Sequence, residues 1–243
     1  MNRKRITTTA LACSALAVAF GSAAEPVCRA SSAAAAPVVV ELYTSEGCSS
    51  CPPAERWLSG LKNRPGLIAL ALHVDYWDRL GWIDRFASAD ATARQYQIAR
   101  AAGSNSVYTP QVVVNGRDWP DWSRSPLPGV AISPVTLTLE RKGERVSARI
   151  DASAAAPLRL DGYWAVVEDG YQTQVGAGEN AGATLHHDAV VRLYRPVSPW
   201  DAQAGANLSL DVSQGVAQHP RRVVFVVTDA TTHRPLQAAS LGC

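Results

Sequence analysis

The run Val39–Cys51, "VVELYTSEGCSSC", followed at once by Pro52-Pro53, constrains the fold more than any other stretch. Residues 37–44, "PVVVELYT", are β-branched and apolar with little alternation, which suits a strand buried on both faces. After the cysteines, Ala54, Trp57, Leu58 and Leu61 recur at helical spacing. Pro52 and Pro53 fit a first helical turn, where a missing N–H costs nothing, and Pro65-Gly66 ends the segment. The order is therefore strand, Cys-x-x-Cys, helix. A helix beginning just after Cys48 directs unpaired N–H groups and the positive end of its dipole at that sulfur, favouring thiolate over thiol. Cys48 then reads as the nucleophile, and Cys51, nearly one turn on, as the thiol that resolves a mixed disulfide. The same pair can instead hold a permanent disulfide or share a soft metal ion.

The surrounding pattern extends this unit. "LIALALHVDYWD" (67–78) opens as a second buried strand. "ASADATARQYQIARAAG" (87–103) reads as a helix closed by Gly103, and "VYTPQVVVNG" (107–116) as a third strand with an Asn115-Gly116 turn. Strands alternating with helices predict a layered α/β domain over 37–118. Residues 119–134, rich in Pro and Ser and carrying two Trp, predict a linker or an extended edge segment. Beyond it "VTLTLERKGERVSARI" (135–150) alternates about Lys142-Gly143 as a hairpin, and further apolar runs predict strands without a helix. A β-sandwich-like domain is expected over 135–243.

The segments "VVVELYTSEGCSSC" and "YTPQVVVNG" resemble the thioredoxin fold. That resemblance implies a cis-proline, Pro110 preceded by Thr109, at the start of a strand facing the cysteines. It also implies a buried acidic proton acceptor for the resolving cysteine, a place near which Glu41 falls. More closely, "ELYTSEGCSSCPPAE", "HVDYWDRLGWIDRFA", "YTPQVVVNG" and "GENAGATLHHDAVVRL" resemble a family of exported bacterial proteins with a thioredoxin-like domain and no assigned function. The expected fold class is an α/β thioredoxin-like domain followed by a β-sandwich-like domain, α+β overall. No Trp precedes Cys48, and Ser-Ser stands where thioredoxin has Gly-Pro, so the redox potential is not carried over.

His73, Tyr76, Trp77 and Trp82 form a polar and aromatic run at the carboxyl end of the second strand, the edge where open α/β sheets bind ligands. They are the candidate binding wall, with His73 also a candidate base or ligand; the alternative is a long loop anchored by aromatics. His186 and His187 are neighbours on a strand and point to opposite faces, which argues against one shared metal site. The loop 176–184, "GAGENAGAT", lacks the lysine and spacing of a phosphate loop and reads as a turn.

Arg3-Lys4-Arg5, the apolar "LACSALAVAF" and the small residues that follow read as a secretory signal peptide over 1–24. Its removal takes away three basic side chains and no acidic ones, moving the formal charge from +2 to −1. No basic stripe then points to nucleic acid, and no second long apolar run points to a membrane span in the mature form. The expected place is the periplasm or the exterior, where disulfides persist. Cys28 and Cys243, near opposite ends of the chain, could pair or stand alone. The function expected is thiol–disulfide exchange through Cys48 and Cys51 with exported protein thiols or disulfides and a redox partner protein, without a cofactor. The alternatives are a module for copper or another soft metal, and a non-catalytic binding protein braced by the Cys48–Cys51 bridge. Zinc would want four ligands, which the cysteine motif does not supply.

Overall fold

The computed structural model describes Met1 and residues 28–243; the predicted signal peptide over 1–24 lies outside the described residues. Val38–Thr44 is buried at every position, as its unalternating apolar run demands. It pairs in parallel with Leu67–His73, in register from Val38↔Leu67 to Thr44↔His73. The Pro52–Ser59 helix makes the crossover, with Pro in its first turn. The Ala89–Ala101 helix starts at Ser88, whose Oγ accepts the Ala91 N–H at 3.1 Å. Gln111–Val114 and Arg117–Asp118 meet across an Asn115-Gly116 turn in which both residues have positive φ.

These strands do not close a domain of their own. Val190–Asp201, from the far half of the sequence, lies parallel to Leu67–His73 through Val190↔Ala71, backed by the Ala71 N–H bonding Ala189 O at 2.7 Å. Arg159–Glu168, Arg221–Asp229 and Pro235–Leu241 follow antiparallel, giving one eight-stranded sheet. Arg159–Glu168 is buried at nine of ten positions because both its faces are covered. Tyr163, Ala165 and Val167 join the core with Val38–Thr44 and the helices. Leu160, Trp164 and Val166 face a second core under a four-stranded sheet of Cys28–Ser31, Val135–Lys142, Arg145–Ala152 and Ala206–Asp211. Gly162 permits this packing, since a Cβ there would sit 2.5 Å from the carbonyl oxygen of Val226.

The expected α/β thioredoxin-like domain followed by a β-sandwich-like domain is therefore corrected. The described residues are mostly β, 45% strand against 14% helix, and the largest sheet among them runs without a break through residues of both halves. The physical reason is the edge of Leu67–His73. An apolar parallel strand cannot be left open to solvent, and it is completed by Val190 rather than by another βα unit. Residues 119–134, predicted as a linker, pack Trp119, Trp122 and Leu127 against the first core, with Trp122 5.4 Å from Trp57 between ring centroids.

Candidate functional site

The turn after Val38–Thr44 carries Ser45 to Ser50, and Cys51 caps the Pro52–Ser59 helix. Cys48 and Cys51 form a disulfide, with Cα atoms 5.4 Å apart. The turn is tied by backbone bonds from Cys48 N to Ser45 O and from Cys51 N to Cys48 O. Both cysteines are fully buried, while Ser49 and Ser50 are exposed. The Ser50 hydroxyl lies 3.5 Å from Cys48 Sγ.

The glycine-rich loop read as a plain turn holds this segment down. Asn180 Nδ2 donates to the carbonyls of Glu46 (2.9 Å) and Cys48 (3.0 Å). Glu179 accepts from the N–H and hydroxyl of Ser49 at 3.0 and 2.8 Å, which lowers its pKa. Gly176 and Gly178 let the loop close on Trp82: a Cβ at Gly176 would lie 3.1 Å from the indole, and one at Gly178 3.3 Å from the Trp82 Cβ. Asn180→Ala removes two hydrogen bonds, about 1–2 kcal/mol of closure, so the Cys48–Cys51 bridge should reduce about tenfold faster. Timed alkylation with mass spectrometry reads this out, and an unchanged rate would separate the loop from sulfur access.

Beside the disulfide lies a buried polar cluster. Glu46, Glu55, His73, Asp84 and His187 are all buried. Trp82 Nε1 donates to Glu46 Oε2 at 2.7 Å, and Thr44 Oγ1 donates to Glu55 Oε1 at 2.6 Å. His187 Nδ1 bonds Glu55 Oε2, and its Nε2 is 3.2 Å from Glu46 Oε1. Burial works against charge on His187, but the hydrogen bonds and negative charge of Glu46 and Glu55 raise its pKa to about 9. Burial likewise pushes Glu46 upward and is outweighed, chiefly by His187, so its pKa falls below the usual value. His73 Nδ1 donates to Asp84 Oδ2 at 2.6 Å. Asp84 also accepts the N–H groups of Glu46 and Phe86, each at 2.9 Å. Burial raises the Asp84 pKa, yet His73 and these donors bring it down to about 2.

The predicted residues divide into those near this site and those away from it. Trp82 joins the cluster through Glu46, and His73 is enclosed within it, so it is no wall open to ligand. Trp77 packs near Gly47 and donates from Nε1 to Thr109 Oγ1 at 2.8 Å, which ties the Thr109-Pro110 segment, cis at that bond, to the cysteine turn. Tyr76 is half-buried and its hydroxyl donates to Gln95 at 3.3 Å. Glu41 is elsewhere: its carboxylate takes Arg94 Nε at 3.2 Å and the Tyr163 hydroxyl at 2.9 Å. Glu41 and Thr44 point to opposite faces of their strand, and it is Thr44 that meets the helix carrying Cys51 and Glu55. Sequence reading missed Glu46, Glu55, Asp84, Glu179, Asn180 and the burial of His187. The signal was that all of them fall in the specific runs "ELYTSEGCSSCPPAE", "HVDYWDRLGWIDRFA" and "GENAGATLHHDAVVRL", without a role of their own.

A model of the family described as "Protein of unknown function (DUF1223)" matches residues 39–228, which span the cysteine turn and the cluster. Among solved structures, a crystal structure of a protein from Agrobacterium tumefaciens is similar at 27% identity and TM-score 0.63, covering 84% of this chain and 93% of that one. HBP35 of Porphyromonas gingivalis is similar at 15% identity and TM-score 0.56, covering 86% of this chain and 76% of that one, a likeness of fold alone. No curated protein matches.

Proposed function

The chain belongs to the DUF1223 family of proteins of unknown function, and from its cysteine turn we propose that it is an exported thiol–disulfide oxidoreductase working through Cys48 and Cys51. The observation that carries the reading is a Cys-x-x-Cys disulfide at the start of a helix, with an exposed Ser-Ser tip between its cysteines. Export, to the periplasm or the exterior, is supported by two disulfides, Cys48–Cys51 and Cys28–Cys243. No helix among the described residues is long and apolar enough to cross a membrane.

In this reaction a thiolate of an exported partner protein attacks Sγ of Cys48. The Cys48–Cys51 bond breaks, a mixed disulfide forms, and Cys51 leaves as a thiolate. A second partner thiolate then attacks the partner sulfur of the mixed disulfide. The partner is oxidised to a disulfide, and Cys48 leaves with two electrons gained by the pair. The reverse sequence reduces a partner, and a redox partner protein resets the pair in either direction. The cap position of Cys51 places both leaving sulfurs near the positive end of the helix dipole.

A second reading has its own support. Full burial of both cysteines, with Asn180 bonded to the Cys48 carbonyl, suits a permanent brace for the turn. Equilibration against glutathione buffers separates the two. A reversible two-electron transition in the folded protein, abolished in Cys48→Ser, is expected. A bridge reducible only on unfolding would reject exchange chemistry and leave the brace.

A further inference from the structure

We infer that Glu46, His73 and His187, with Glu55 and Asp84 holding the other nitrogen of each histidine, form a binding site for one divalent first-row transition-metal ion, with zinc the ion to test. The site is distinct from the thiolate-based soft-metal site that the cysteines alone would make. One donor atom each from Glu55, His73 and His187 lies within 4.8 Å of the others, all buried. A Glu46 oxygen is 3.2 Å from His187 Nε2. Two donors on one tetrahedral zinc ion, each about 2.1 Å from it, stand about 3.4 Å apart, so the cluster closes the shell by contracting on the order of an ångström.

The second observation is how the free atoms are arranged. His73 Nε2 is buried with no hydrogen-bond partner, and Glu46 Oε1 and His187 Nε2 face only each other, at 3.2 Å. Buried polar atoms are seldom left so. All three residues are meanwhile anchored from behind. Trp82 holds the other oxygen of Glu46, Asp84 the other nitrogen of His73, and Glu55, itself held by Thr44, the other nitrogen of His187. A histidine whose Nδ1–H is fixed by a carboxylate while Nε2 stays bare is the arrangement that orients imidazole ligands. Three carboxyl groups against two imidazoles also gather negative charge in an enclosed space, which a dication offsets. Imidazole and carboxylate donors suit zinc and its first-row neighbours rather than soft Cu(I).

The consequence is architectural. Glu55 belongs to the helix that begins at Cys51, His73 ends a central strand, and His187 comes from the Thr184–His187 strand. An ion at this point would fasten the two halves of the sequence directly beside the cysteine turn.

The test uses the full chain purified without chelator, then stripped and titrated with zinc. One zinc per chain is expected, with a higher Tm on loading. X-ray absorption of the loaded protein should show nitrogen and oxygen scatterers with an imidazole signature and no sulfur. A Cys48→Ser/Cys51→Ser variant should bind as tightly as the parent, which keeps this outcome apart from that of the exchange chemistry. His73→Ala should lose the ion, and Asp84→Asn, which keeps its shape, should weaken binding about 10–100-fold. No zinc uptake at micromolar concentration, with Tm indifferent to zinc, would overturn the site. So would sulfur in the absorption spectrum, or zinc that survives His73→Ala and vanishes with the cysteines.

Discussion

Arg94→Met is expected to destabilise the fold by about 3–5 kcal/mol, the usual cost of leaving one member of a buried ion pair behind. Arg94 and Glu41 are both almost fully buried. The guanidinium reaches Glu41 through Nε at 3.2 Å and Nη2 at 3.5 Å, donates to Gln97 at 3.0 Å, and lies 4.9 Å over the Tyr163 ring. Burial alone would lower the Arg94 pKa, but Glu41 and the surrounding tyrosines raise it well above its usual value, so the cation is permanent. Burial drives the pKa of Tyr43 and of Tyr163 far up, and both remain neutral, Tyr163 donating to Glu41. Without Arg94 the Glu41 carboxylate keeps only the Tyr163 hydroxyl and sits among Tyr43, Tyr194 and aliphatic side chains. Methionine fills most of the volume, so the loss is electrostatic rather than a cavity. The Arg94→Met/Glu41→Leu pair should therefore recover much of it. Urea unfolding of the single and double variants measures both steps. A single-variant loss under 1 kcal/mol would mean that water reaches Glu41.

That pair shows what a sequence can and cannot disclose here. A strand without alternation is buried on both faces, so a Glu inside "VVVELYT" has to find a cation. The cation was within reach of pattern reading: Ala91, Arg94, Gln95 and Ile98 follow helical spacing, and all four are buried. Two of the four, Arg94 and Gln95, are polar, so apolar periodicity alone does not mark the face as buried. The strand, cysteine and helix order was legible because turn chemistry and period are local properties. The continuity of the sheet was not, because it depends on Val190 meeting Ala71 across most of the chain. His187 illustrates the same limit. Alternation places it opposite His186, but which of the two is enclosed depends on what covers the strand, and here that is the helix bearing Glu55. Glu46 and Glu55 sit in segments whose composition suits exposure equally well. Only the approach of Trp82, Thr44 and His187 makes them a site.

The second large effect belongs to the Cys28–Cys243 bridge, which closes a sequence separation of 215 residues. Sequence placed these cysteines near opposite termini with pairing open; the fold sets their Cα atoms 6.1 Å apart. Cys28 lies on the edge strand of the four-stranded sheet, paired opposite Arg141, and Cys243 follows Pro235–Leu241 at the edge of the larger one. The bridge thus joins the outer strands of the two layers that enclose the second core. Cys243 is exposed and Cys28 only half-buried, so serine in their place removes little packing. What it removes is the restriction on the unfolded chain, about 5 kcal/mol for a loop this long in the chain-entropy description. Cys48–Cys51 closes a loop with a sequence separation of only 3, and the same logarithmic dependence gives it much less leverage over the unfolded state. Cys28→Ser/Cys243→Ser should consequently lower stability far more than Cys48→Ser/Cys51→Ser, with the first change appearing as a shift of the unfolding midpoint. If the two double variants fell equally, the cysteine turn would be acting as a brace comparable to the terminal bridge. That result would weigh against exchange chemistry at Cys48, because a pair that cycles between thiols and disulfide has to leave the fold standing in both states.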